Sequence, residues 1–263
     1  MTGLELLVEF LKRGVISGGI ALVIYFIAAG IVSRLFSRDV ARDVTRHDIK
    51  WGVVSLLVGS PILQGYALAH EQWGVSFVYT DIGEHGWAWW LISMPIYVLL
   101  WDLTFYLTHR VLHWPKVYRG SHFRHHSCRP PVAWSGIAID PFETLLSGIA
   151  PYIVPLFILP FHIWTVYALN MALLVWATCL HSSMNYAGNS ILLGPKDHNL
   201  HHTFGLKNCN FAVVFTFWDR MFGTLDRQNT PPWWGLKEMW RPKGARENPS
   251  KPQDGPDRGA AEL

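Results

Sequence analysis

Long uncharged apolar runs alternate with short polar stretches along this chain. Gly14 to Val32 carries no charged residue. At about 1.5 Å per residue such a run crosses the roughly 30 Å hydrocarbon core of a bilayer. It is too long for a signal-peptide core, so no signal peptide is expected. Ahead of it, Leu4, Leu7, Val8 and Leu11 share one helical stripe, which predicts a short interfacial helix over residues 1–13. Further spans are predicted at Trp51 to Leu68 and at Trp87 to Leu107. Beyond Pro131, the apolar stretches Leu145 to Leu159 and Ile163 to Leu180 read as an outward-and-back hairpin turning at Phe161-His162. Pro151, Pro155 and Pro160 interrupt its first arm and demand local backbone compensation. The expected fold class is all-α, a polytopic membrane bundle of about four to five spans.

Composition agrees with a membrane setting. Half of the 263 residues are hydrophobic and 16% are charged, against about a quarter in soluble domains. Fourteen tryptophans suit the membrane–water interface. A net charge of +3 gives no case for a nucleic-acid partner. Arg34, Arg38, Arg42, Arg46 and Lys50, interleaved with Asp39, Asp43 and Asp48, read as a solvated helical face. Basic loops stay cytoplasmic, which puts this run inside and the Lys/Arg-free loop Ala69 to Gly86 outside. Arg110, Lys116, Arg119, Arg124 and Arg129 return the next loop to the cytoplasmic side. Cys128, Cys179 and Cys209 are far apart and form no CxxC, so neither a disulfide framework nor a zinc ribbon is indicated. Residues 228–263 have little to bury and read as a hydrophilic, disordered tail.

Histidine placement changes the picture. His109 and His113 form HxxxH, and His122, His125 and His126 form HxxHH. His198, His201 and His202 form a second HxxHH, with His181 between the boxes. On an α-helix, residues three or four apart stand on one face, so each box is expected to offer its nitrogens to one point. Neutral imidazole suits Zn, Cu, Fe and Ni. A closed zinc site takes four ligands, so this many histidines fit two metals better than one. A lone HxxxH is common on helices; three boxes in matching phase in one chain are not. His70, His85 and His162 are read as ordinary histidines away from the metal.

Three readings of nearby polar residues belong with the boxes. Asp102 lies seven residues before His109, on the same helical face. A carboxylate at membrane depth is costly and usually functional, so Asp102 is expected to accept a hydrogen bond from a ligand imidazole. The alternative is a helix-packing hydrogen bond to a neighbouring span. Asn185 is an auxiliary ligand or a turn residue. Asp219 and Arg220 form a local salt bridge or a supporting pair, in a stretch that is either lipid-lying or the wall of a substrate slot.

The runs DLTFYLTHRVLH from Asp102, PKVYRGSHFRHH, His181, DHNLHH from Asp197 and FWDRMFGT together resemble the fatty acid hydroxylase / sterol desaturase superfamily over about residues 96–227. The resemblance implies a membrane-bound di-iron oxygenase with its histidine-lined metal cap on the cytosolic side. The eight box histidines are then iron ligands and His181 a ninth. O₂ would be the co-substrate, and a lipid, fatty acyl or sterol-like molecule would be hydroxylated or desaturated. Zinc can stand in for the two iron ions in a purified form. Electrons would come from a separate donor: a cytochrome b5, a ferredoxin or a reductase. Residues 1–95 would add two spans to the catalytic domain at 96–227, in a bacterial cell membrane or the endoplasmic reticulum. Two other classes remain: a histidine-lined metal transporter, needing ligands spread across the bilayer, and a haem electron carrier, needing only paired axial histidines.

Overall fold

The computed structural model describes residues 2–36, 42–129, 131–184, 186, 188–203 and 208–227. Expectations resting on Arg38, Asp39, Pro130, Asn185, residues 228–263 or the side chains of residues 42–44 fall outside these.

Among the described residues, four helices are long and apolar enough to cross a membrane, which makes this a multi-pass membrane protein. They are α1 (Gly3–Phe36), α2 (Arg42–Trp73), α3 (Gly86–Leu112) and, later in the chain, Ile163–Leu180. The lead over residues 1–13 is not separate: Thr2 caps α1, with Glu5 N–H donating to its hydroxyl and the Glu5 carboxylate accepting from its amide. From there the helix runs unbroken for 34 residues. Val15, Ile16, Ile20, Val23, Ile27 and Ile31 are exposed along it, as a lipid-facing surface requires. The buried side is a stripe of Gly14, Gly18, Ala21, Tyr25, Ala28, Ala29 and Val32. Such small residues let two helix backbones approach closely, and α2 packs into this stripe, with Pro61 opposite Gly14 and Ser60 opposite Gly18.

Helix α3 continues past its expected end and carries His109 on its last turn. The chain then shortens its elements: α4 (Pro115–Gly120), a 3₁₀ turn His122–Ser127, a second 3₁₀ turn Ala133–Ile137, and α5 (Pro141–Glu143). The first arm of the expected hairpin is not a regular span. It breaks into a π turn Thr144–Ile149, α6 (Ala150–Ile153) and a 3₁₀ turn Val154–Phe157. Pro151 and Pro155 cannot donate to the turn before them, so each opens a new short element. At the far end, β1 (Val78–Tyr79) pairs in parallel with β2 (Phe161–His162) and ties the two loops together. His162 sits here, away from the other clusters, its Nε2 donating to the Thr80 carbonyl and its Nδ1 accepting from Trp164 N–H. The return arm α7 (Ile163–Leu180) leads back to His181, followed by α8 (Pro195–Thr203) and α9 (Thr216–Met221).

The C-terminal ends of α1, α3 and α7 and the start of α2 meet at one end of the bundle. There Val32, Phe36, Trp134 and Met184 pack in one apolar cluster. Tyr25, fully buried, donates to the Trp134 carbonyl. Asp48 departs from the solvated face expected of it: it is buried, and Ser135 and His47 bond its carboxylate. The turn carrying Ser135 lies hard against α7. A Cβ on Gly136 would come within 2.7 Å of the Ala177 carbonyl oxygen, a backbone atom that no rotamer change can move aside. Gly136→Ala is therefore expected to lower stability by about 1–3 kcal/mol and to displace the end of α7 that bears His181. Thermal melting in detergent checks the first effect and bound metal per chain the second; an unchanged melting temperature would refute the contact.

Candidate metal centre

All nine singled-out histidines come together, in two adjoining sets. His109, His113, His122, His126 and His201 form one; His125, His181, His198 and His202 form the other. Within each set the ligand nitrogens lie no more than 4.8 Å apart, and all nine rings are buried. The boxes do not each serve one point, as their spacing suggested. Residues four apart share a set (His109 with His113, His122 with His126, His198 with His202), while the residue at the third position, His125 or His201, serves the other. The second box is a 3₁₀ turn rather than an α-helix. His122 and His125 stack at 5.3 Å there, as His198 and His201 do at 5.4 Å on α8. His126 and His202 stack across the sets at 4.3 Å.

The nitrogens face each other by their Nε2 atoms. His122 Nε2 lies 3.0 Å from that of His113, 3.0 Å from that of His126 and 3.2 Å from that of His109. In the second set His181 Nε2 is 3.2 Å from His125 and 2.9 Å from His198, and His198 is 3.1 Å from His202. The opposite nitrogens explain which way the rings point. His109 Nδ1 donates to the Phe211 carbonyl at 2.7 Å, His201 Nδ1 to the Cys209 carbonyl at 2.6 Å, and His181 Nδ1 to the Ala177 carbonyl at 2.8 Å. A carbonyl only accepts, so each of these rings carries its proton on Nδ1 and turns an Nε2 lone pair inward.

Burial and neighbouring imidazoles hold His122, His126, His198 and His202 well below the ordinary histidine pKa. Burial pushes His181 down to about 4. These rings stay neutral at physiological pH, the state that binds metal. Four further rings, His125, His126, His198 and His202, have a buried Nδ1 with no partner, so nothing in the protein opposes their turning Nε2 lone pairs inward as well. Metal–imidazole bonds of about 2.0–2.1 Å place neighbouring nitrogens at about the spacing seen between these Nε2 atoms. The donor set therefore fits a pair of metal ions, and a five-nitrogen set exceeds the four ligands of a closed zinc site.

Support for the rings was only partly legible. Asp102 is fully buried but bonds no imidazole; its carboxylate accepts backbone N–H bonds from Val213, Val214 and Phe215. The partner is neither an imidazole nor a neighbouring span but an irregular segment, and this has a reason. Asp219 accepts from Phe211 and Ala212 N–H, and Asn210 bridges Asp197 and Asp226. The segment 209–215 is thus fixed at both ends, and its carbonyls at Cys209 and Phe211 aim His201 and His109. Asp219 does not pair with Arg220, which donates to the Ser190 carbonyl instead. The carboxylate expected of Asp102 is supplied by Glu143, which lies 2.8 Å from His122 Nδ1 with both side chains buried. Its signal was the pair Asp140 and Glu143, the two acids in the otherwise uncharged interval between Arg129 and Lys196. A cavity of about 150 Å³ opens against His109, His122, His125, His181 and His198. Trp101, Phe105, Ile139, Leu180 and Val213 give it apolar walls, so the stretch around Val213 is a wall rather than a lipid-lying segment.

The fatty acid hydroxylase family model matches residues 94–224. A Delta(7)-sterol 5(6)-desaturase of Gibberella zeae is 29% identical over 185 residues, covering 68% of this chain and 56% of that protein. The enzyme of that name in Saccharomyces cerevisiae is 30% identical over 164 residues, 61% of this chain and 44% of its own. In Leptosphaeria maculans the figures are 29% over 216 residues, 78% and 59%. The chain spans about half the length of the curated relatives it matches. No solved structure matches it.

Substitutions at two positions separate ring support from backbone support. Glu143→Ala removes the partner of His122 Nδ1 and should weaken metal binding about 10- to 100-fold, while Glu143→Gln retains most of it; metal titration of the purified protein distinguishes them. Asp102→Ala leaves three amides without their acceptor and should cost at least about 3 kcal/mol of stability, read by thermal melting.

Proposed function

Belonging to the fatty acid hydroxylase family through residues 94–224, this chain is, we propose, a membrane-bound di-iron oxygenase that hydroxylates or desaturates a C–H bond of a lipid. One observation carries the reading: two adjoining sets of five and four imidazoles, buried against an apolar cavity. Iron bound there supplies O₂ activation, which this chain's side chains have no chemistry to perform. For hydroxylation the balance is one C–H bond, O₂, two electrons and two protons giving an alcohol and water. Desaturation takes two hydrogens from neighbouring carbons and, with the same O₂, two electrons and two protons, gives an alkene and two waters.

His109, His113, His122, His126 and His201 would hold one ion, and His125, His181, His198 and His202 the other. Glu143 and the carbonyls of Phe211, Cys209 and Ala177 keep the rings aimed. Trp101, Phe105, Ile139, Leu180 and Val213 exclude water and fix the C–H bond beside the rings. Sterol-like lipids are the first substrates to test, since the curated relatives are named for a Delta(7)-sterol. The basic residues Arg110, Lys116, Arg119 and Arg129 lie in sequence among and beside the first two histidine boxes. They support a cytosolic placement of the histidine end and a separate, acidic electron donor such as a cytochrome b5, ferredoxin or reductase.

His125→Ala removes one of four nitrogens in the second set. It should abolish oxidation while the protein still inserts and folds. Metal per chain should fall, and product formation from a Delta(7)-sterol under O₂ with a supplied reductant should vanish. Retained turnover would sink the assignment.

A further inference from the structure

The cavity against the histidines is too small for a lipid by itself: about 150 Å³, where small-molecule sites run about 300–1,000 Å³. A second cavity, about 460 Å³, lies between α1, α2 and α7 toward the far end of the bundle. The two share Ala21, Ser60, Leu63, Tyr152, Asn170 and Met171 in their walls. Along α2 the lining runs from Ser55 beside the histidines to Glu71 at the far end, a rise of about 24 Å at 1.5 Å per residue. We propose that the two cavities form one substrate slot through the bundle. Its neck, between Leu63 on α2 and Met171 on α7, passes the apolar tail of the substrate into the distal chamber and selects tails by length and width. The inference rests on the oxygenase reading for what the slot serves.

The walls say which end of a substrate enters. The charged side chains of the distal chamber, and some of its polar ones, are already engaged with protein partners. Arg13 pairs with Glu71 at 2.6 Å and with Glu9 at 3.3 Å. Tyr66 donates to Ser76, which bonds His70, and Asn170 accepts from Tyr97 at 2.7 Å. The rest of the wall carries no charge and is mostly apolar, with Leu63, Ala67, Leu156, Val166 and Met171 beside the uncharged polar side chains of Gln64 and Tyr167. An ionised head group placed there would lose water without meeting an unpaired opposite charge. An alkyl tail loses nothing, so the polar end of the substrate stays at the histidine end, near the oxidised carbon. Ala21 leaves room at the neck because it is small; Leu63 and Met171 are only half-buried there and set its width.

Equilibrium binding of tritiated straight-chain primary alcohols of increasing length to the detergent-purified full chain tests this. In wild type, affinity should keep rising for tails too long for the proximal chamber. In Leu63→Trp and Met171→Trp the rise should stop early, with long alcohols bound about tenfold more weakly or worse. The shortest alcohols and the metal content should be unaffected. Met171→Ala adds no bulk and guards against misfolding; it should relax discrimination between a straight alcohol and its tail-branched isomer. Uniform weakening at every length, or no change in any of the three variants, overturns the slot. Turnover of a Delta(7)-sterol is measured on the same wild-type sample. Intact length dependence without turnover sinks the oxygenase reading alone, and turnover without length dependence sinks the slot alone.

Discussion

Three backbone carbonyls decide what this structure can do. Phe211, Cys209 and Ala177 each take an Nδ1–H, and by doing so they force the other nitrogen of His109, His201 and His181 inward as a lone pair. A ring free to rotate would offer either nitrogen and settle on hydrogen bonding to its neighbours. With those three protons held outside, three inner nitrogens are fixed as lone pairs, ready for a cation. Two of those carbonyls belong to a single irregular segment, so its position matters as much as that of the ligands. Asn208 and Asn210 adopt positive φ there, 51° and 54°, a conformation asparagine tolerates better than most side chains. Asp102 and Asp219 then hold the segment by its amides. A carboxylate deep in the protein thus serves the metal site through the backbone rather than through a ring.

The same requirement shapes the bundle. α3 has to deliver His109 and His113 at the end of a long span, and it does so without a break. The next passage through the apolar region is interrupted at its prolines and never forms a full helix. A regular helix there would fill the space between α2, α3 and α7 that the cavity occupies, because Thr144, Ser147, Gly148, Ile149 and Tyr152 of that passage line it. Small residues on α1 bring α2 close on one side, and the prolines hold the other side open.

Much of this could be read from residue order. The spans are legible because a bilayer imposes a length on apolar runs, and the nine histidines because helical phase at short spacing is hard to produce by accident. Helix ends were not legible: α1 absorbs its polar lead, since Glu9, Lys12 and Arg13 pair with one another on the helix surface. The division of each box was not legible either, because it depends on two sets forming side by side, and spacing within one box cannot show that. The role given to Asp102 failed for a related reason. Spacing places it on the face of His109, but seven residues is two turns away, and the nearer amides of another segment take the carboxylate. Carbonyl acceptors leave no trace in sequence, since every residue has one. Asp48 was misread because its burial comes from Ser135, 87 positions away.

The interleaving of the boxes ties the fate of the two sets together. Each HxxHH box sends rings both ways, and His126 and His202 lie face to face between them. An ion settling in either set would immobilise the 3₁₀ turn and α8, whose remaining rings belong to the other. The entropy of ordering those elements is then already spent when the second ion arrives, so it binds more tightly than it would alone. Loading of this protein should be concerted, passing from empty to doubly filled with few singly occupied molecules in between.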